Sequence, residues 1–147
     1  MQIFKTQSES QTSLLAQTLC AGIPRGSIVM FTGEMGAGKT AFVRGALKAY
    51  GNPSFVSSPT FALVNDYGGD PHIYHFDMYR VTDADDLYST GFYDYAGPDS
   101  ILFVEWSENI RSFIEEYYAS SIVEINIEKT DRENERVITV KGGRFGC

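Results

Sequence analysis

Two kinds of hydrophobic pattern share this chain. Ser27-Ile28-Val29-Met30-Phe31-Thr32 is an unbroken apolar run bounded by glycines, and Ile101 to Trp106 opens with four apolar residues in a row. Such runs predict strands buried on both faces of a mainly parallel sheet. Ile122 to Glu128 and Arg136 to Lys141 alternate apolar and polar instead, and the charged segment Lys129 to Glu135 joins them. Alternation of this kind predicts a half-solvated antiparallel hairpin at a sheet edge. Other strands are expected at Gln2 to Lys5, Phe61 to Asn65 and Ile73 to Tyr79.

Helical spacing is carried by Leu14, Leu15, Leu19 and Cys20, preceded by Ser8 and Gln11 in the spacing of a capping box and ended near Gly22 and Pro24. Phe42, Val43, Ala46 and Leu47 mark a second helix over Lys39 to Tyr50, and two more are expected at Thr82 to Thr90 and Ser107 to Tyr118. Strands interleaved with helices predict an α/β fold, with helices on both faces of a mainly parallel sheet and an antiparallel edge. The 147 residues, 43% of them apolar, contain no internal repeat, low-complexity tract or linker, so one domain is expected.

Cys20 and Cys147 are too far apart for a disulfide framework or a metal spacing, and Cys20 falls on the apolar side of its helix as a small buried hydrophobe does. Met1 to Lys5 lacks the basic and apolar regions of a signal peptide. Ser10 to Pro24, an uncharged run interrupted by Gln and Thr, falls short of the roughly 20 apolar residues that a membrane span needs. A cytoplasmic protein without membrane contact is the expectation.

Charge changes the picture further. The net charge of -7 is uneven: residues 1 to 63 hold five basic and two acidic side chains, 64 to 116 two and twelve, and 117 to 147 five and five. An acidic middle third repels a phosphate backbone, which argues against autonomous nucleic-acid binding. Work on a nucleic acid would call for a basic partner.

Gly33-Glu34-Met35-Gly36-Ala37-Gly38-Lys39-Thr40 fits the phosphate-loop pattern G-x-x-x-x-G-K-[ST] at every specified position. Its glycines let successive N–H groups converge on phosphate oxygens, Lys39 supplies a charge for the terminal phosphates, and the Thr40 hydroxyl is a Mg²⁺ ligand. An ordinary glycine turn with an exposed lysine could share the pattern. The apolar strand before it and the helix after it favour nucleotide binding. Ala41 stands where many such loops carry a second hydroxyl, but its backbone N–H can still donate.

Mg²⁺ takes oxygen ligands in octahedral geometry, so a strand-end carboxylate is expected nearby. Glu105, after Ile101-Leu102-Phe103-Val104, and Asp77, after Ile73-Tyr74-His75-Phe76, are the candidates. Glu105 is either a metal carboxylate or an acid held at a strand exit. Asp77 alternates in phase with His75 and Tyr79, and His75 is either a packed, hydrogen-bonded histidine or a base. Trp106, the single tryptophan, either packs in the core or faces the site.

These elements in order, the loop with Phe42-Val43-Arg44-Gly45, then Ser58-Pro59-Thr60-Phe61 with Leu63-Val64 and Tyr67, then His75-x-Asp77-x-Tyr79-Arg80, then Val104-Glu105-Trp106-x-Glu108, resemble the TsaE (YjeE) family of bacterial ATPases over nearly the whole chain. The resemblance implies an ATP-hydrolysing subunit that acts with TsaB and TsaD, which carry out the transfer, and TsaC, which makes the threonylcarbamoyl adenylate. The product is the threonylcarbamoyl group on the adenosine next to the anticodon, in tRNAs reading codons that start with A. The tRNA is reached only through the complex. It further implies ATP and Mg²⁺ as cofactors, with Lys39, Asp77 and Glu105 catalytic and Thr40 and Glu105 on the metal. Nucleotide contacts would come from Gly33 to Ala41, Asp77, Thr60 in a switch-like Ser58 to Phe61 segment, and Trp106. Ser8, Gln11 and Arg136 would line the adenine side. Ala41, usually Thr in the family, is the main departure.

A small-molecule P-loop kinase is the leading alternative, but it needs an acceptor pocket and an Arg-bearing lid, and only Arg80 and Arg111 fall between residues 64 and 116. A GTPase would need the guanine-reading Asn-Lys-x-Asp, which is absent. A non-catalytic module using ATP as structural glue would not require Asp77 and Glu105.

Overall fold

The computed structural model describes residues 1–33, 38–54, 56 and 64–142. Seven strands form one sheet in the order β1-β7-β6-β2-β5-β4-β3, with β1 at Gln2–Thr6, β2 at Ile28–Gly33, β3 at Val64–Gly68, β4 at His72–Asp77, β5 at Ser100–Glu105, β6 at Ile122–Lys129 and β7 at Arg136–Lys141. The inner four, β6, β2, β5 and β4, are parallel neighbours. Antiparallel pairing closes both edges, through β7 and β1 on one side and β3 on the other. A single antiparallel edge was the expectation. The second arises because the turn at Gly69 and Asp70 folds β3 back along β4.

Each central strand sends alternate side chains to two separate cores, as buried-sheet geometry requires. Val29, Phe31, Ile101, Phe103, Val123, Ile125 and Ile127 pack under α1 (Glu9–Cys20) and α2 (Lys39–Ala49). Phe31 meets Phe42 edge to face at 5.6 Å and stacks on Phe103 at 6.0 Å. On the other face, Ile28, Met30, Phe76, Leu102 and Val104 pack with α3 (Ala84–Ser89), α4 (Phe92–Tyr95) and α5 (Arg111–Tyr118).

Some expected boundaries move. The helix expected over Ser107 to Tyr118 is a 3-10 turn at Ser107–Asn109 followed by α5, divided at Ile110, whose φ of -121° is not helical. The helix expected from Thr82 starts at Ala84, because Asp83 caps it by accepting the Asp86 N–H at 2.8 Å. β4 ends at Asp77, so Tyr79 lies beyond the strand, and the expected Phe61 to Asn65 strand is observed from Val64 onward, residues 61–63 being outside the described ones. Among the described residues no helix is long and apolar enough to cross a membrane.

Candidate functional site

At the carboxyl end of β2, Gly33 has a φ of 109°, and a Cβ there would lie 2.1 Å from the Ile127 carbonyl oxygen, so only glycine fits. The chain re-emerges at Gly38, again left-handed (φ 111°), and α2 starts at once with no side chain capping its first N–H groups. Uncapped donors and the positive end of the helix dipole make this terminus suitable for an anion. The intervening loop candidates Glu34, Met35, Gly36 and Ala37 lie outside the described residues, as does Thr60 with its neighbours Ser58, Pro59 and Phe61.

Lys39 is only 7% exposed. Its Nζ donates to the Gly33 carbonyl at 3.4 Å and sits 5.3 Å from the centre of the Trp106 ring. Trp106 follows Glu105 directly with φ 58° and ψ 45°, a left-handed conformation that costs a bulky side chain energy. It also meets Tyr79 edge to face at 5.1 Å. The half-buried indole is part of neither core and lies beside Lys39, next to the candidate phosphate-binding helix terminus.

Asp77 and Glu105 close β4 and β5 and are register partners in that parallel pair. The Asp77 carboxylate accepts the Tyr79 N–H at 2.9 Å. Glu105 Oε2 lies 2.5 Å from His75 Nε2, and His75 has no exposed surface. His75 Nδ1 lies 3.3 Å from the Tyr67 hydroxyl, which accepts from the Asn65 side-chain amide at 3.4 Å. Thus Glu105 is held at its strand exit by His75, beside the end of β4 where Asp77 stands.

Thr40 is half-buried in the first turn of α2, and Ala41 beside it is buried. The donors available to a metal are the Thr40 hydroxyl and the Asp77 and Glu105 carboxylates, all oxygen. That set fits Mg²⁺, which completes its shell with phosphates and water. Among the described residues no cluster of three His, Cys, Asp or Glu side chains offers a softer or self-sufficient metal site.

The adenine-side candidates also converge at this end of the sheet. Ser8 caps α1 by accepting the Gln11 N–H at 3.1 Å, and Gln11 Oε1 accepts the Gln7 N–H at 2.7 Å, one residue earlier than a regular capping box. Gln7 donates to Glu135 Oε2 at 3.0 Å, and Arg136 donates to the Glu133 and Glu135 carbonyls. One turn into α1, Thr12 Cγ2 is 4.0 Å from where a Cβ on Gly38 would stand. A cavity of about 470 Å³ between Pro24–Ser27 and Ala96–Pro98 opens at the opposite, amino end of the strands. Ligands of open α/β sheets bind at the carboxyl ends, so the phosphate loop marks the site and that cavity does not.

Sequence reasoning quoted Tyr67 without giving it a role, and passed over Asn65, Gln7 and Glu135. The Asn65–Tyr67 alternation, folded back against His75 by the glycines at 68 and 69, is the signal that could have linked these two to His75.

A family model described as "Threonylcarbamoyl adenosine biosynthesis protein TsaE" matches residues 6–138. The chain is similar to the tRNA threonylcarbamoyladenosine biosynthesis protein TsaE of Haemophilus influenzae, at 42% identity over 90 residues, 60% of this chain and 57% of that protein. It is 31% identical to the Bacillus subtilis protein of the same name, over 97% of this chain and 87% of that one. Over 90% of the chain it is 34% identical to the Rickettsia conorii protein, 74% of which is covered. Among solved structures, Bacillus subtilis YdiB superposes with a TM-score of 0.69 at 27% identity, covering 95% of this chain and 83% of that one.

Proposed function

The chain belongs to the TsaE family of threonylcarbamoyladenosine biosynthesis proteins, and from that premise we propose that it is a Mg²⁺-dependent ATPase. On this reading it works in the cytoplasm with TsaB and TsaD, supporting threonylcarbamoylation of the adenosine next to the anticodon in tRNAs reading codons that start with A. One observation carries the reading. Lys39, at the start of an uncapped helix, and the register-paired acids Asp77 and Glu105 converge at the carboxyl ends of β2, β4 and β5.

Phosphoryl transfer asks for positioning and charge stabilisation more than covalent work. The phosphates would take the α2 N–H groups, with Lys39 leaving the Trp106 face for the β- and γ-phosphate oxygens. Thr40 and Glu105, directly or through water, would hold Mg²⁺, which supplies charge neutralisation at the phosphate oxygens when bound. Asp77 would accept a hydrogen bond from the attacking water. That water's oxygen would bond to the γ-phosphorus as the bridge to the β-phosphate breaks, leaving ADP and phosphate and releasing the water's proton to solvent. The sequence supplies no obvious arginine finger beyond Arg44 and Arg80, so turnover should be slow until partners complete the site.

The test is ATP binding and hydrolysis by the wild type and Lys39→Ala, with and without TsaB, TsaD and tRNA. Loss of a charge-assisted phosphate contact should weaken ATP binding roughly 10- to 100-fold. Unchanged affinity and turnover in Lys39→Ala would refute the site, and turnover indifferent to the partners would refute the role as their subunit. A phosphorylated product that depends on a small-molecule acceptor would favour a kinase.

A further inference from the structure

Glu105 is the last link of a hydrogen-bonded row that crosses three strands: Asn65 and Tyr67 on β3, His75 on β4 and Glu105 on β5. The carboxylate end of the row sets its direction for a neutral imidazole. A carboxylate only accepts, so the imidazole donates its Nε2–H to Glu105 Oε2, and in the neutral ring Nδ1 is then the acceptor for the Tyr67 hydroxyl. His75 is fully enclosed and Glu105 largely so, its side chain 12% exposed, which leaves little water to substitute for either bond. A histidine placed only for packing would not need both ring nitrogens opposite polar partners.

We infer that His75 and Tyr67 are positioning residues for Glu105, locking its carboxylate in the orientation that meets the metal–nucleotide complex. The inference rests on the ATPase reading. A carboxylate already fixed loses little rotational freedom when a metal arrives, whereas a loose one must be ordered at that moment. Hydrogen-bonding partners of metal ligands commonly govern metal affinity about 10- to 100-fold without touching the metal.

The experiment measures binding of a non-hydrolysable ATP analogue to the full chain by calorimetry, in EDTA and in saturating Mg²⁺. The ratio of the two affinities is the metal-dependent gain. His75→Ala should cut this gain about 10- to 100-fold, while the affinity in EDTA stays within about twofold of the wild type. Tyr67→Phe, which keeps the ring and removes only the hydroxyl, should cut the gain by a smaller factor. His75→Gln, whose amide nitrogen can stand in for Nε2–H, should restore most of it.

An unchanged gain in Tyr67→Phe and His75→Ala overturns the inference, as does a His75→Gln no better than alanine at equal melting temperature. Should the His75 variants fail to fold, Tyr67→Phe decides alone. A wild type whose affinity shows no Mg²⁺-dependent gain overturns the ATPase reading and this inference with it. A wild type with the gain beside unresponsive variants overturns this inference only.

Discussion

Gly45 sits in the middle of α2, where intrinsic propensity alone makes alanine the better residue by about 1 kcal/mol. The packing reverses that expectation. A Cβ at position 45 would lie 2.0 Å from the Ser13 carbonyl oxygen, 2.8 Å from its carbonyl carbon and 2.9 Å from Ala16 Cβ. The obstruction is the backbone of α1, so no rotamer change relieves it and the two helices must part by about 1 Å or more. Overpacking of this kind costs about 1–3 kcal/mol, and a backbone obstacle puts the cost at the upper end. Steric cost minus propensity leaves Gly45→Ala destabilised by roughly 2 kcal/mol, or a fall of about 4–8 °C in melting temperature for a chain this long. Thermal denaturation followed by circular dichroism, with no nucleotide present, measures it directly. Because Thr12 on α1 adjoins Gly38, the same variant should also bind ATP more weakly than its folded fraction explains. A melting temperature equal to or above the wild type would falsify the argument, since propensity would then outweigh the close approach.

Two further outcomes follow from buried or bonded groups. The hydrogen bond from Gln7, with a second from Thr130, holds the Glu135 carboxyl below the usual carboxylate range. A depressed folded value means the stabilisation is complete above the unfolded carboxyl's pKa of 4.5 and is lost as pH falls through the lower folded value. The melting-temperature difference between wild type and Gln7→Ala should therefore shrink between about pH 5 and pH 3, and a constant difference would contradict the link. Burial pushes the Cys20 thiol up to about 12, the Tyr50 hydroxyl offsetting part of the shift. In a Cys147→Ser background Cys20 should resist a disulfide reagent at pH 8 until the chain is denatured, and rapid native-state labelling would refute its enclosure.

The β2 and β5 runs were readable because burial on both faces removes any polar alternation, leaving nothing else for such segments to be. Helix α4, four residues behind a left-handed Gly91, is too short to show a period. The break at Ile110 was hidden because Ser107 to Tyr118 keeps helical spacing across it. Among the site candidates, the placement of Lys39 and Thr40 at a helix start was legible from a contiguous motif, and that of Asp77 and Glu105 at strand ends from the apolar runs before them. The work of His75 was not legible. Its partners stand 8 and 30 residues away, and only the β3-β4-β5 register brings the three together.

The acidic middle third first suggested a missing basic partner, but the structure gives much of that acid local work. Asp66 accepts the Gly68 N–H and pairs with His72, and Asp70 pairs with Arg25. Asp83 caps α3, while Asp86 accepts from the Thr82 N–H and hydroxyl. Glu115 pairs with Arg111. Turns, a helix start and edge contacts explain why these residues are acidic, and none of that requires a second protein. Local use does not cancel the field, however, because residues 64 to 116 still hold two basic side chains against twelve acidic. Over the roughly 8 Å reach of charge at physiological salt, a tRNA backbone is repelled by that surface. The acids thus need no partner for their own sake; on the proposed reading it is the tRNA that does, and it would be held by other members of the assembly while this chain turned over nucleotide.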